Sequence, residues 1–82
     1  MFADAHHNLG LIYSQQNLAD LAIKEFTASL RLSPDRTQTH LEMAKIFVKM
    51  GQREEARKHL TIVLSATPQD PTARQLLQMI GS

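Results

Sequence analysis

The chain repeats itself at a spacing of 34 residues, and the copies agree at the residues that decide how helices pack. Leu9, Gly10, Tyr13, Ala22, Phe26 and Pro34 recur one period on as Met43, Ala44, Phe47, Ala56, Leu60 and Pro68. His6/His40, Ile12/Ile46, Lys24/Lys58, Thr27/Thr61 and Leu30/Leu64 repeat unchanged. A fixed period of this length marks a stack of like helical units, each burying a face on its neighbour, and argues against a closed globule.

Within each copy the apolar residues follow helical spacing. A first segment over 3–16 carries Leu9, Ile12, Tyr13 and Gln16, and a second over 19–32 carries Ala22, Ile23, Phe26, Ser29 and Leu30, each set on one helix face. Small residues at Gly10 and Ala22, and at Ala44 and Ala56, allow two helix backbones to approach, while Tyr13/Phe26 and Phe47/Leu60 fill the space beside the close point. Asn17 and Gly51 fall just past the first helix of each copy, and these residue types tolerate the left-handed conformation that ends a helix. Pro34 and Pro68 stop the second helix, because proline lacks an N–H and restricts the residue before it. Asp35, with Gln38 three residues on, and Asp70, followed by Pro71, read as N-caps of the next helices. Five helices are expected.

The run Leu9-Gly10-x-x-Tyr13, Ala22-x-x-x-Phe26-x-x-Ser29 and Pro34 resembles the tetratricopeptide repeat signature, and Met43-Ala44-x-x-Phe47, Ala56-x-x-x-Leu60-x-x-Val63 and Pro68 form a looser second copy. The resemblance implies an all-α, right-handed superhelical array of antiparallel helix pairs, with about two repeat units plus a C-terminal capping helix. It divides the chain into repeat one over 3–36, repeat two over 37–70 and a capping helix over 71–81 that carries Leu76, Leu77 and Ile80. His6 and His40 stand where the family often has tryptophan, and Val63 is larger than the residue usual at its place. The two histidines are expected to be half-buried packing residues with a hydrogen bond each.

Composition narrows the function further. At 82 residues, a chain of this kind buries only about 60% of its unfolded surface, so its stability is expected to be modest. A net charge of +1 removes the strongest argument for nucleic-acid binding, and no apolar run approaches the ~20 residues of a membrane span. With no cysteine there is neither a disulfide nor a thiolate ligand or nucleophile. His6 and His7 are adjacent and diverge on a helix, His40 and His59 lie on different helices, and no H-E-x-x-H pattern occurs, so no metal site is expected. Glu54 and Glu55 sit in the first turn of a helix, where they favour its dipole, and Glu54 with Lys58 reads as an i, i+4 pair. Neither a glycine-rich phosphate loop nor a nucleophile elbow is present, so no catalytic residue, cofactor or enzymatic activity is assigned.

The resemblance places the working surface on the outward side of each first helix. His7, Leu11, Ser14 and Gln15 in repeat one, with Asp4 and Asn8, and Gln38, Leu41, Glu42, Lys45, Val48 and Lys49 in repeat two are expected to face a protein or peptide partner. Thr72, Gln75 and Met79 continue that face in the last helix. Leu11, Leu41 and Val48 suit an apolar side chain, while Lys45 and Lys49, four apart on one helix face, suit an acidic group. The alternative for the lysines is a solvated face in which Glu42 screens Lys45. Some members of the family clamp the acidic tail of heat-shock chaperones with lysine, asparagine and arginine. The matching positions here are His7, Leu11, Glu42, Thr72 and Leu76, which excludes that ligand class.

A second function class is self-association. Repeat one carries Leu18 and Leu21 where repeat two carries Gln52 and Glu55, and the chain starts with Met1 and Phe2 without a visible capping segment. Phe2, Leu18 and Leu21 are therefore expected to form an interface with upstream repeats, with another protein or with a second copy in a homo-oligomer. RNA reading would need a basic groove and paired polar selector residues, and Leu11, Leu41 and Val48 weigh against it.

Overall fold

The computed structural model describes residues 2–81. Five helices follow one another, α1 (Phe2–Gln15), α2 (Ala19–Leu32), α3 (Thr37–Lys49), α4 (Arg53–Ala66) and α5 (Pro71–Met79), with no strand among the described residues. The chain divides into two compact units, Met1–Thr39 and His40–Ser82.

The turns follow from residues able to adopt their backbone angles. Asn17 has φ 63° and Gly51 φ 74°, and each closes its helix with the same pair of bonds. Asn17 N–H donates to Ser14 O at 3.0 Å and Leu18 N–H to Tyr13 O at 2.9 Å; Gly51 N–H donates to Val48 O at 3.1 Å and Gln52 N–H to Phe47 O at 2.9 Å. These are Schellman closures, which satisfy carbonyls left over at the helix end. At α5, Asp70 caps as read: its side chain accepts from Ala73 N–H at 2.8 Å, with Pro71 opening the helix. Asp35 does not cap α3. It lies in the turn after Pro34, α3 begins at Thr37, and the position one period before Asp70 is Arg36. An arginine cannot accept from a backbone N–H, and its guanidinium instead forms an ion pair with Asp4.

In the first unit α1 and α2 run antiparallel, since Ala3 at the start of α1 meets Ser29 near the end of α2 while His6 and Gly10 further along α1 meet the earlier Glu25 and Phe26. Ser29 Oγ donates to the Ala3 carbonyl at 2.8 Å, His6 Nδ1 lies 2.8 Å from Glu25 Oε1, and the Phe26 ring lies over Gly10. A Cβ on Gly10 would stand 2.5 Å from that ring, so the absence of a side chain sets how closely the helices approach. Ala22, Phe26 and Ser29 are fully buried.

The second unit repeats the plan with other residues. Ala44, Ala56, Leu60 and Val63 are fully buried, His40 Nδ1 lies 2.9 Å from His59 Nδ1, and Phe47 stacks on His59 with centroids 5.7 Å apart and planes at 14°. Helix α5 packs on α4, with Ala73 fully buried and Ile80 closing the end. The first turn of α4 pairs Glu54 with Arg57 at 3.0 Å and Glu55 with Lys58 at 3.4 Å, so the expected Glu54–Lys58 pair gives way to two i, i+3 pairs.

One expectation about packing fails. Leu9 and Ile12 are 41% and 48% exposed, whereas their counterparts Met43 and Ile46 are each 5% exposed. On α1 the face toward α2 is made by Ala3, His6 and Gly10. Leu9 and Ile12 lie roughly 90° and 150° round the helix from it, in an exposed stripe with Phe2 and Ala5.

Candidate functional site

A helix built into such a pair has faces left over from packing, and in the first unit one of them carries Leu11, Ser14 and Gln15. Leu11 and Ser14 are half-buried and Gln15 is exposed, as are Asp4 and Asn8 on the same helix and Gln38 at the start of α3. His7 lies in the interior instead. Its Nδ1 is 2.8 Å from Thr39 Oγ1, its ring is 5.4 Å from that of Phe26, and only 6% of its surface remains exposed. The expectation that His7 meets a ligand is therefore corrected: a polar ring taken out of water is stable there because its nitrogen has a hydroxyl partner.

In the second unit α3 presents Glu42, Lys45 and Val48, all half-buried, and the exposed Lys49. Lys45 Nζ lies 3.3 Å from Glu42 Oε2, an i, i+3 pair that screens part of the lysine charge. Leu41, expected on this face, is buried with 8% exposure and serves the core. On α5, Thr72 is half-buried while Gln75 and Met79 are exposed. Each unit keeps an amphipathic remainder of its own: half-covered Leu11 with the hydroxyl and amide of Ser14 and Gln15 on α1 in the first, and half-covered Val48 with cationic Lys45 and Lys49 on α3 in the second.

The residues singled out for self-association are all at the surface, Phe2 76% exposed and Leu18 and Leu21 about as exposed as Leu9. Leu18 precedes α2 and serves its first turn through its backbone carbonyl, which accepts from Ala22 N–H at 2.9 Å.

The histidine pair is the feature that spacing missed. His40 and His59 sit on different helices, and antiparallel pairing brings them ring to ring, with centroids 5.1 Å apart. The signal was present in the period, since position 59 is position 25 shifted by one repeat and position 40 is position 6. Burial lowers the His59 pKa from the ordinary imidazole value of 6.5, His40 lowers it further, and Glu55 and Lys58 act in opposite directions. Among the described residues no group of three or more His, Cys, Asp or Glu is placed to hold a metal ion, and no helix is long and apolar enough to cross a membrane.

Antiparallel helix pairs closed by matching turns at a fixed period define a helical-repeat protein, whose surfaces for work are helix faces. The family model described as tetratricopeptide repeat matches residues 13–80, and the chain belongs to that family. It is 34% identical over 73 residues to cellulose synthase operon protein C of Xanthomonas axonopodis pv. citri (strain 306), a match spanning 89% of this chain and 5% of that protein. A solved structure described as the APC/C hetero-tetramer Cut9-Hcn1 is similar over 99% of this chain and 16% of its own, with a TM-score of 0.92 and 26% identity. The chain thus spans a small part of both relatives' length. Tetratricopeptide repeats are in general non-enzymatic scaffolds for protein–protein interaction.

Proposed function

We propose that the chain is a docking module that binds a protein or peptide through the remaining faces of its first helices, with Leu11, Ser14 and Gln15 on α1 and Lys45, Val48 and Lys49 on α3 as contact residues. On this reading it comprises repeat one over 3–36, repeat two over 37–70 and a closing helix over 71–81. The observation that carries it is the half-exposure of Leu11 and Val48 beside polar and cationic neighbours, since such side chains gain burial when a partner's apolar group covers them. That the similar solved structure is described as a hetero-tetramer is consistent with assembly through protein contacts. Lysines four apart favour acidic residues in the partner.

Selection of displayed random peptides on the immobilised chain tests this. Enrichment of peptides combining an aliphatic with acidic residues is expected, and Lys45→Glu with Lys49→Glu should weaken binding about tenfold and flatten its salt dependence, with helicity unchanged. Binding indifferent to that reversal would return the lysines to a solvated face.

A second reading, self-association into a homo-oligomer, draws support from the uncharged exposed stripe of Phe2, Ala5, Leu9 and Ile12, together with Leu18 and Leu21. Sedimentation distinguishes it: mass that rises with concentration and falls in Leu18→Glu with Leu21→Glu supports association, and a monomer at high micromolar concentration contradicts it.

A further inference from the structure

The two repeats place different partners against the same histidine. In repeat one His6 Nδ1 lies 2.8 Å from a carboxylate oxygen of Glu25, and one period later His40 Nδ1 lies 2.9 Å from Nδ1 of His59. A carboxylate oxygen accepts a hydrogen bond from an imidazole N–H whether or not the ring's other nitrogen is protonated. Two imidazole nitrogens can bond only if one carries a proton and the other a lone pair, which requires at least one ring to be neutral. When both rings are protonated the facing nitrogens are both donors, and two like charges meet in a partly desolvated place.

We propose that His40 and His59 form an acid-sensitive latch between α3 and α4, closed while at least one ring is neutral and opened when both are protonated. Of the two rings His40 has the less room to avoid the conflict, His59 being half-buried. His40 is 6% exposed, and the near-parallel stack of Phe47 on His59 fixes the plane of the second ring. The charged groups acting on His59 are His40 from α3 and Glu55 and Lys58 from its own helix. Glu55 and Lys58 pair with each other at 3.4 Å, so neither acts on the imidazole alone.

The sign of the pH dependence follows. Burial and His40 hold the His59 pKa below its ordinary value, so on acidification the unfolded chain takes up the proton before the folded one. The latch is fully stabilising above the ordinary imidazole value of 6.5, and its contribution is lost as pH falls below that value toward the lowered folded one. Position 25 being glutamate, this acid response belongs to repeat two and has no counterpart at the same place in repeat one.

The test uses the whole chain and the variant His59→Glu, which gives repeat two the pairing of repeat one. Thermal midpoints measured at pH 7.5 and 5.5 should fall more in the wild type than in the variant. The loss of one hydrogen bond corresponds to about 4–8 °C in a chain of this size. In the wild type the His59 ring protons, followed by NMR, should titrate below the ordinary value, with hydrogen exchange of the α4 amides speeding up over the same pH interval relative to those of α2. Equal pH dependence in the two proteins, or a His59 that titrates at or above the ordinary value, overturns the latch. His59→Gln, whose amide both donates and accepts, replaces the glutamate variant if that one does not fold, and the wild-type titration decides by itself in either case.

Discussion

Repeat one fills its helix crossing with Gly10 beneath the Phe26 ring, and repeat two has Ala44 and Leu60 at the corresponding positions, with Phe26 and Leu60 both fully buried. A methyl gained at the small position accompanies a smaller side chain at the large one. The period therefore preserves the volume occupied at the crossing more strictly than residue identity, as expected where interiors are packed to near-crystalline density. The same logic covers the turns, where Asn17 and Gly51 differ in side chain and share a left-handed backbone and the same closing bonds.

The largest effect that breaks this comparison is Ala22→Trp or Ala56→Trp. Both alanines are fully buried, and a ring there is expected to cost about 3 kcal/mol or more, enough to unfold the repeat concerned. Unchanged thermal unfolding in both variants would mean that the alanines are not at the crossings.

Gly10→Ala sharpens the comparison. The added methyl gains helix propensity but would stand 2.5 Å from the Phe26 ring, so a net loss of about 1–2 kcal/mol is expected. Phe26→Leu in the same chain reproduces the pairing of repeat two and should recover most of that loss. Denaturant titration of the two single variants and the double variant measures the coupling, and simple additivity would contradict the volume account.

Smaller effects come from the caps. Asp70→Ala removes the side-chain acceptor of Ala73 N–H and should cost about 1 kcal/mol, whereas Arg36→Ala at the corresponding place should cost less, as the ion pair it removes has Asp4 on the solvent side. Asn17→Gly, which gives repeat one the residue of repeat two at a φ of 63°, should stabilise by about 0.5 kcal/mol. Thermal midpoints of these three variants should rank in that order, and a stabilising Asp70→Ala would refute the cap.

Elements, turns and the close crossing were legible in the sequence because each depends on a residue type with few alternatives: a small residue at Gly10, a left-handed conformer at Asn17, a carboxylate before Pro71. The direction in which a face turns was not. Spacing groups Leu9 with Ile12 correctly and leaves open which side of α1 they occupy. Asp35 carried a plausible capping pattern, but the cap position was fixed by where α3 begins. His40 and His59 appeared remote because distance between helices depends on register, which the pairing of His6 with Glu25 reveals only after the helices are paired. His7 and Leu41 fell on the expected binding face by resemblance, and their burial was decided by neighbours that spacing along one helix does not contain.

Two apolar faces of α1 remain to be distinguished by function, the one with Leu11 and the one with Leu9 and Ile12. Methyl NMR of the chain titrated with a selected peptide compares them in one sample. The docking account predicts shifts at the methyls of Leu11 and Val48, with those of Leu9 and Ile12 unmoved; shifts confined to Leu9 and Ile12, with Leu11 and Val48 silent, would contradict it.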